Sequence, residues 1–244
     1  MESFDFILKV GGSLSKNKSA LKKLFKELAK LSETHKMLVI PGGGHFADEV
    51  RKIHDKFNIS EDVSHWMAVF AMDQMGFFFS DLSPKNIVVD NLEDAAQMGP
   101  GLVPILIPAK IMLDNDPLPH SWDVTSDSIA AYIAHITGTK KILILTDVDG
   151  VYTSDPKSSR DAELILEISA DELAKKNTNT CVDKTFPILV SQYGLECMVL
   201  NGKHPERLVQ ALKNKKVKGT IIHGKPVQKI PSESLTNPGE RKLA

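Results

Sequence analysis

Two short apolar runs, residues 4–10 and 37–40, each stop at consecutive glycines and each hand over to a stretch with helical spacing. The first meets Gly11-Gly12 and then leucines at 21, 24, 28 and 31, while the second meets Pro41-Gly42-Gly43-Gly44 and a helical run over about 46–57. Apolar runs this short that lack polar alternation are strands buried on both faces, and the leucine spacing is that of a helix with one apolar stripe. A strand, glycine turn and helix that recur within the first 60 residues commit the chain to layers of helix on a parallel sheet.

The rest of the chain continues this alternation. Ser60 is placed to cap a helix through Trp66, Val69, Phe70 and Phe77, with a polar break at 80–85, and its apolar face reads as core or as a face between identical subunits. Strands are expected at 87–89, 102–107, 111–113, 141–145, 197–200 and 220–222, and helices at 125–136, 183–193 and 205–212. The expected fold is an α/β three-layer sandwich with a mainly parallel central sheet, formed as one domain over residues 1–224 with a polar tail at 225–244.

Composition removes several classes of function. Lys plus Arg is 30 and Asp plus Glu is 31, a formal net charge of -1, so the whole chain offers no electrostatic case for nucleic acid or an anionic membrane. The two cysteines, Cys181 and Cys197, form neither a disulfide framework nor a zinc spacing, and the chain starts without a signal-peptide pattern. A reducing cytoplasm is the expected location.

Phosphate chemistry must then come from local sites. In Lys9-Val-Gly11-Gly12-Ser13, paired glycines let backbone N–H groups approach an anion, the next helix points its positive end there, and Lys9 adds a full charge. A tight turn beside a snorkelling lysine is the plainer reading. The run is neither a P-loop nor a dinucleotide fingerprint, which disfavours a nicotinamide enzyme. Gly42, Gly43 and Gly44 carry a large folding entropy cost that a plain turn would seldom accept, so a second anion site is expected beside the first. A third run, Thr146-Asp147-Val-Asp149-Gly150, starts like a calcium loop but lacks its later ligands. In Pro-His120-Ser-Trp122-Asp123, the indole could face a flat ring and the carboxylate an ammonium group, with His45 and His120 bonding to an acceptor phosphate; a buried tryptophan and a capping aspartate are the alternative.

Five elements in order over about residues 5–224 resemble the amino acid kinase superfamily. They are Lys-x-Gly-Gly-Ser at 9–13, Gly-Gly-Gly at 42–44, the helix-opening Asp127, Thr-Asp-Val-Asp-Gly-Val-Tyr-x-x-Asp-Pro at 146–156 and Gly-Thr-Ile-Ile at 219–222. Within it, the runs at 41–48, 118–130 and Cys-Val-Asp at 181–183 resemble the methanofuran-pathway branch, whose members use ATP to convert [5-(aminomethyl)furan-3-yl]methyl phosphate to its diphosphate. The resemblance implies a carbamate kinase-like fold and a small-molecule phosphate kinase using ATP and Mg2+, with no protein metal cage and a homo-oligomeric state.

It also implies roles. Lys9 holds the transferring phosphoryl group, Gly11, Gly12 and Ser13 the ATP phosphates, and Gly42 to Gly44 the acceptor; Asp127 orients the lysines, and Thr146, Asp147, Asp149, Gly150, Tyr152 and Asp155 line the nucleoside. The family's Gly-Gly-Met-x-x-Lys is absent, and Thr-Cys-Val-Asp-Lys184 stands there, so Lys184 is carried over as the second lysine with a surface helix lysine as the alternative. Rival readings are isopentenyl phosphate kinase, UMP kinase-like activity, and a non-catalytic nucleotide or oxyanion binder such as the molybdenum storage proteins. Lys9→Ala is expected to lose transfer and keep the fold.

Overall fold

Every residue of the strands β1 (Phe6–Val10) and β2 (Met37–Pro41) is buried, as expected of strands covered on both faces. The computed structural model describes residues 4–176 and 181–224, so the expected tail lies outside the described residues. After β1 come a 3-10 turn (Gly12–Lys16) and α1 (Lys18–Leu31); after β2 come α2 (Gly44–Phe57), α3 (Glu61–Ser80), β3 (Asn86–Val89), α4 (Leu92–Gln97), β4 (Val103–Leu106) and α5 (Ala109–Asn115). The second half runs α6 (Ser126–Ile136), β5 (Lys141–Thr146), β6 (Glu167–Ser169), α7 (Ala170–Lys175), α8 (Phe186–Tyr193), β7 (Glu196–Asn201), α9 (Pro205–Leu212) and β8 (Thr220–His223).

The strands form one sheet in the order β3-β4-β2-β1-β5-β7-β8-β6, parallel throughout except for the β7–β8 pair. β1 lies in its middle, with Lys9 in register with Ile40 of β2 and Ile144 of β5. The strand period of two divides β1 between two cores. Phe6, Leu8 and Val10 pack in one layer with Leu21, Leu24, Phe25 and Leu28 of α1, while Ile7 packs in the other with Ile129 and Ile133 of α6. Each fully buried side chain of this kind is worth roughly 1.5–3 kcal/mol relative to exposure. Lys9 shares the parity of Ile7 and is therefore carried towards the α6 layer.

Three departures from the sequence expectation have physical causes. Residues 111–113 are not a strand but part of α5, which buries Ala109 and Met112 three apart; a three-residue apolar run carries too little periodicity to decide. The Asp73 carboxylate of α3 accepts from the Ala109 N–H at 3.1 Å and so caps α5, a tie that only tertiary contact supplies. Second, α4, β6 and α7 went unforeseen, although Ser169 and Glu172 form a capping box that is readable as Ser-x-x-Glu. Third, α8 opens at Phe186 rather than 183 because Asp183 is used elsewhere.

Asp183 joins two helix starts. Its Oδ2 accepts from the N–H groups of Thr125 (2.8 Å) and Ser128 (3.0 Å) at the opening of α6, and its Oδ1 accepts from the Ser128 hydroxyl (2.6 Å) and the Phe186 N–H (2.7 Å) at the opening of α8. Thr125, at the N-cap, makes no side-chain cap bond to its own helix; its hydroxyl donates to Asp183 instead, at 2.9 Å. One carboxylate thus satisfies orphan donors of two helices and faces the positive ends of both. Asp183→Ala strands these donors in the interior and should lower the unfolding free energy by about 3 kcal/mol or more, read as a shift of the urea midpoint. A midpoint within error of wild type would show that the tie is dispensable.

Candidate active site

A lysine delivered to a buried face needs a counter-charge, and α6 provides it. Lys9 Nζ lies 2.8 Å from Asp127 Oδ1, with side-chain exposures of 9% and 5%. Asp127 sits in the first turn of α6, the helix that Asp183 caps, and its Oδ2 accepts from the Asp183 N–H at 3.3 Å. Burial first, and the Asp127 charge second, push Asp183 up to about 6, against the pull of its hydrogen bonds.

The two glycine turns meet beside this pair. A Cβ on Gly12 would overlap the backbone of Gly44, and one on Gly42 would come within 2.8 Å of the Gly12 nitrogen. Gly44 also has φ of +55°. The sequence reading explained these glycines by anion binding; mutual packing of the two turns requires part of them as well. Both turns open helical segments, whose leading N–H groups lack intrahelical partners.

A cavity of about 580 Å3 opens here, with Lys9, Gly11, Gly12, Ser13, Gly42, Gly43, Gly44 and His45 in its wall. A smaller one of about 290 Å3 is lined by Thr146, Asp147, Gly150, Tyr152 and Asp155. The two share Thr146 and Cys181, so they adjoin on the side where Lys9 stands. Burial pushes the Cys181 thiol up to about 12, which makes it an inert wall group. Beside the smaller cavity, Lys157 Nζ reaches Asp147 Oδ2 at 2.7 Å.

Some expected residues fall outside both cavities. Asp149 is taken by Arg207 (2.6 Å), Lys218 (2.6 Å) and Asn201 (3.0 Å), and although burial alone would raise its carboxyl, these partners hold it well below the usual range. It ties the loop after β5 to the chain around β7, α9 and β8 rather than lining the nucleoside side. Asp123 and Lys184 pair with each other at 2.8 Å, with side chains 54% and 79% exposed, and neither lines the larger cavity. In this structure the two expected ligand residues, the ammonium partner and the second phosphate lysine, are each other's ion-pair partners at the surface. His120 is likewise outside, gripped by Asp62 and Asp116 at 2.8 Å each.

Trp122 does line the larger cavity, with the Arg51 guanidinium 4.8 Å over its ring and the His54 ring edge-on at 5.8 Å. Lys16, Asp48, Arg51, Glu61 and His65 also line this cavity, and none of them stands out in the sequence as a site residue. Nothing in the chain order signals which polar side chains of α2 and α3 turn inward over the sheet edge.

The buried ion pair changes what a substitution at Lys9 should do. Removing one partner leaves the other charged in the interior, a loss on the order of 3–5 kcal/mol. Lys9→Ala is therefore expected to be markedly less stable than wild type, and Lys9→Ala with Asp127→Ala more stable than Lys9→Ala alone, both measured by urea denaturation. A wild-type midpoint in the single variant would mean that the pair is not buried in solution.

Known proteins share this chain's sequence pattern and fold. The model of the amino acid kinase family matches residues 6–201. The chain is 37% identical over 209 residues to a [5-(aminomethyl)furan-3-yl]methyl phosphate kinase of Methanocaldococcus jannaschii, covering 86% of this chain and 93% of the relative. It is 26% identical to the molybdenum storage protein subunit beta of Azotobacter vinelandii, covering 88% and 84%. The crystal structure of uridylate kinase from Archaeoglobus fulgidus superposes with a TM-score of 0.71 at 23% identity, over 89% of this chain and 99% of that one, and so shares the fold. From the strand-borne lysine with its buried aspartate to the paired glycine turns, the chain belongs to the amino acid kinase family.

Proposed function

We propose that this protein is an ATP-dependent kinase that phosphorylates a phosphate monoester to a diphosphate, with [5-(aminomethyl)furan-3-yl]methyl phosphate as the acceptor. The observation that carries the reading is Lys9, held by buried Asp127, in the wall of a cavity that both glycine turns line and that adjoins a second cavity through Thr146 and Cys181. The 37% identical kinase supports the choice of acceptor.

Bringing two polyanions together is the main obstacle, so fixed cations and N–H donors matter more than covalent chemistry. An oxygen of the acceptor phosphate attacks the γ-phosphorus of ATP, the bond to the bridging oxygen breaks, and ADP leaves. A monoester phosphate is already largely ionised at neutral pH, so no protein base is needed. Lys9, pinned by Asp127, stands over the charge that shifts between the oxygens. Lys16 and Arg51, which line the cavity where Lys184 does not, serve as further cations on the acceptor side. Bound with ATP, magnesium would neutralise phosphate charge; Asp127, paired with Lys9, serves here to fix that lysine.

Glu61, a carboxylate in the wall of the acceptor cavity for which no ion pair is seen among the described residues, favours an acceptor with a cationic group over an isopentenyl chain. Exposed Val63, Phe70 and Phe77 recur every seven residues on α3 and fit a face between two copies of the chain. Among the described residues no helix is long and apolar enough to cross a membrane. A reducing cytoplasm suits the free thiols of Cys181 and Cys197.

ADP release with the aminomethylfuran phosphate, isopentenyl phosphate and UMP tests this reading. The first should lead in kcat/KM by about 10²-fold or more, because the others leave buried polar groups unpaired. Lys9→Ala, assayed as folded protein, should be slower by about 10² to 10³. Release of ADP with none of the three would leave a non-catalytic binder as the better description.

A further inference from the structure

His65 lies one turn after Glu61 on α3, and both line the acceptor cavity. The residue is 7% exposed, and among the described residues neither ring nitrogen has a hydrogen bond. Nε2 is wholly buried, whereas the equally unpartnered Nδ1 is not, and a polar nitrogen left in that condition costs stability unless something else satisfies it. Nδ1 is the nitrogen open to a donor held in the cavity.

The neighbour explains the state of the ring. The His120 ring stacks on His65 with centroids 4.3 Å apart and planes at 17°. Both nitrogens of His120 face carboxylate oxygens at 2.8 Å, Nδ1 towards Asp62 and Nε2 towards Asp116. Only the imidazolium form has two N–H donors, so the proton of the stacked pair belongs to His120. Asp116 first, and Asp62 with it, hold His120 above its ordinary value, while burial and the His120 charge hold His65 below its own. Of the other charged or titratable groups on α2 and α3, Glu61, Asp48 and Arg51 line the cavity; His54 is bonded to the Ser64 hydroxyl at 2.7 Å, and Arg51 Nη1 lies 3.2 Å from Asp48 Oδ1. A neutral imidazole offers a lone pair and no positive charge, which suits a primary ammonium, and Glu61 supplies a negative charge to the same cavity.

We propose that His65 is a specificity-determining residue that accepts a hydrogen bond from the acceptor's ammonium group, with Glu61 as the counter-charge and His120 as the positioning residue that keeps His65 neutral. This rests on the kinase reading above and deepens it.

The test compares kcat/KM for the aminomethylfuran phosphate and its des-amino analogue across pH, in wild type, His65→Phe and His120→Gln. His65→Phe keeps a flat ring against His120 and should lower the value for the amine about tenfold to a hundredfold, with a change of less than about threefold for the analogue. His120→Gln should move the acid limb of the amine profile to higher pH, because His65 then takes up a proton more readily, and should leave the analogue's limb in place. NMR titration of the imidazoles, which needs no turnover, should show His65 titrating below His120 in wild type and moving up in His120→Gln. Equal losses for both acceptors in His65→Phe, or a His65 titration that ignores His120→Gln, would overturn the proposal. Absence of turnover with either acceptor in wild type, alongside the expected titration, would instead reject the kinase reading.

Discussion

The contact on which the site depends is the ion pair between Lys9 and Asp127. Two charges this far from water are costly, and their attraction offsets the cost only where the geometry is held by surrounding structure. Here the holding is done twice. β1 is clamped in register between β2 and β5, which leaves Lys9 no freedom along the sheet, and α6 is fixed at its first turn by a carboxylate from another segment. The strain of burying charge is thus placed where a developing negative charge on a transferred group would gain most from a fixed cation.

Asp183 gives this arrangement a second function for acidity. It neutralises the openings of α6 and α8 together, while burial first and the nearby Asp127 charge second disfavour its own ionisation. The donors that surround Asp183 pull the other way, so that it takes up its proton at about pH 6 rather than higher. The carboxylates of Asp73 and Asp183 follow one pattern, in which a helix start is capped from a different element; such ties lock layers to one another rather than stabilising a helix in isolation.

The cavity walls divide along the same lines. The phosphate side is made from turns at the ends of β1 and β2, which the parallel topology brings to a common sheet edge. The opposite wall comes from α2, α3 and the segment around Trp122, where Arg51 covers the indole and His65 leans on His120. In the proposed reading, the chemistry of phosphoryl transfer sits on strands and their glycine turns, and discrimination between acceptors on the helices laid across them.

By itself the sequence determined the layered α/β class, most element positions, and the phosphate side of the site. Apolar runs that stop at paired glycines leave few other folds open, and a lysine at the end of a buried strand has to be explained by something charged. The strand parity of Lys9 was readable too, but its partner, 118 positions later, followed only from resemblance. Tertiary structure alone decided the rest. Asp149, Asp123, Lys184 and His120 have the look of ligand residues and are paired with other side chains, while Lys16, Arg51, Glu61 and His65 have the look of ordinary helix or turn residues and stand in the cavity wall. The reason is physical. Backbone pattern follows local spacing, whereas the partner of a polar side chain is set by how layers dock, and no local period encodes that.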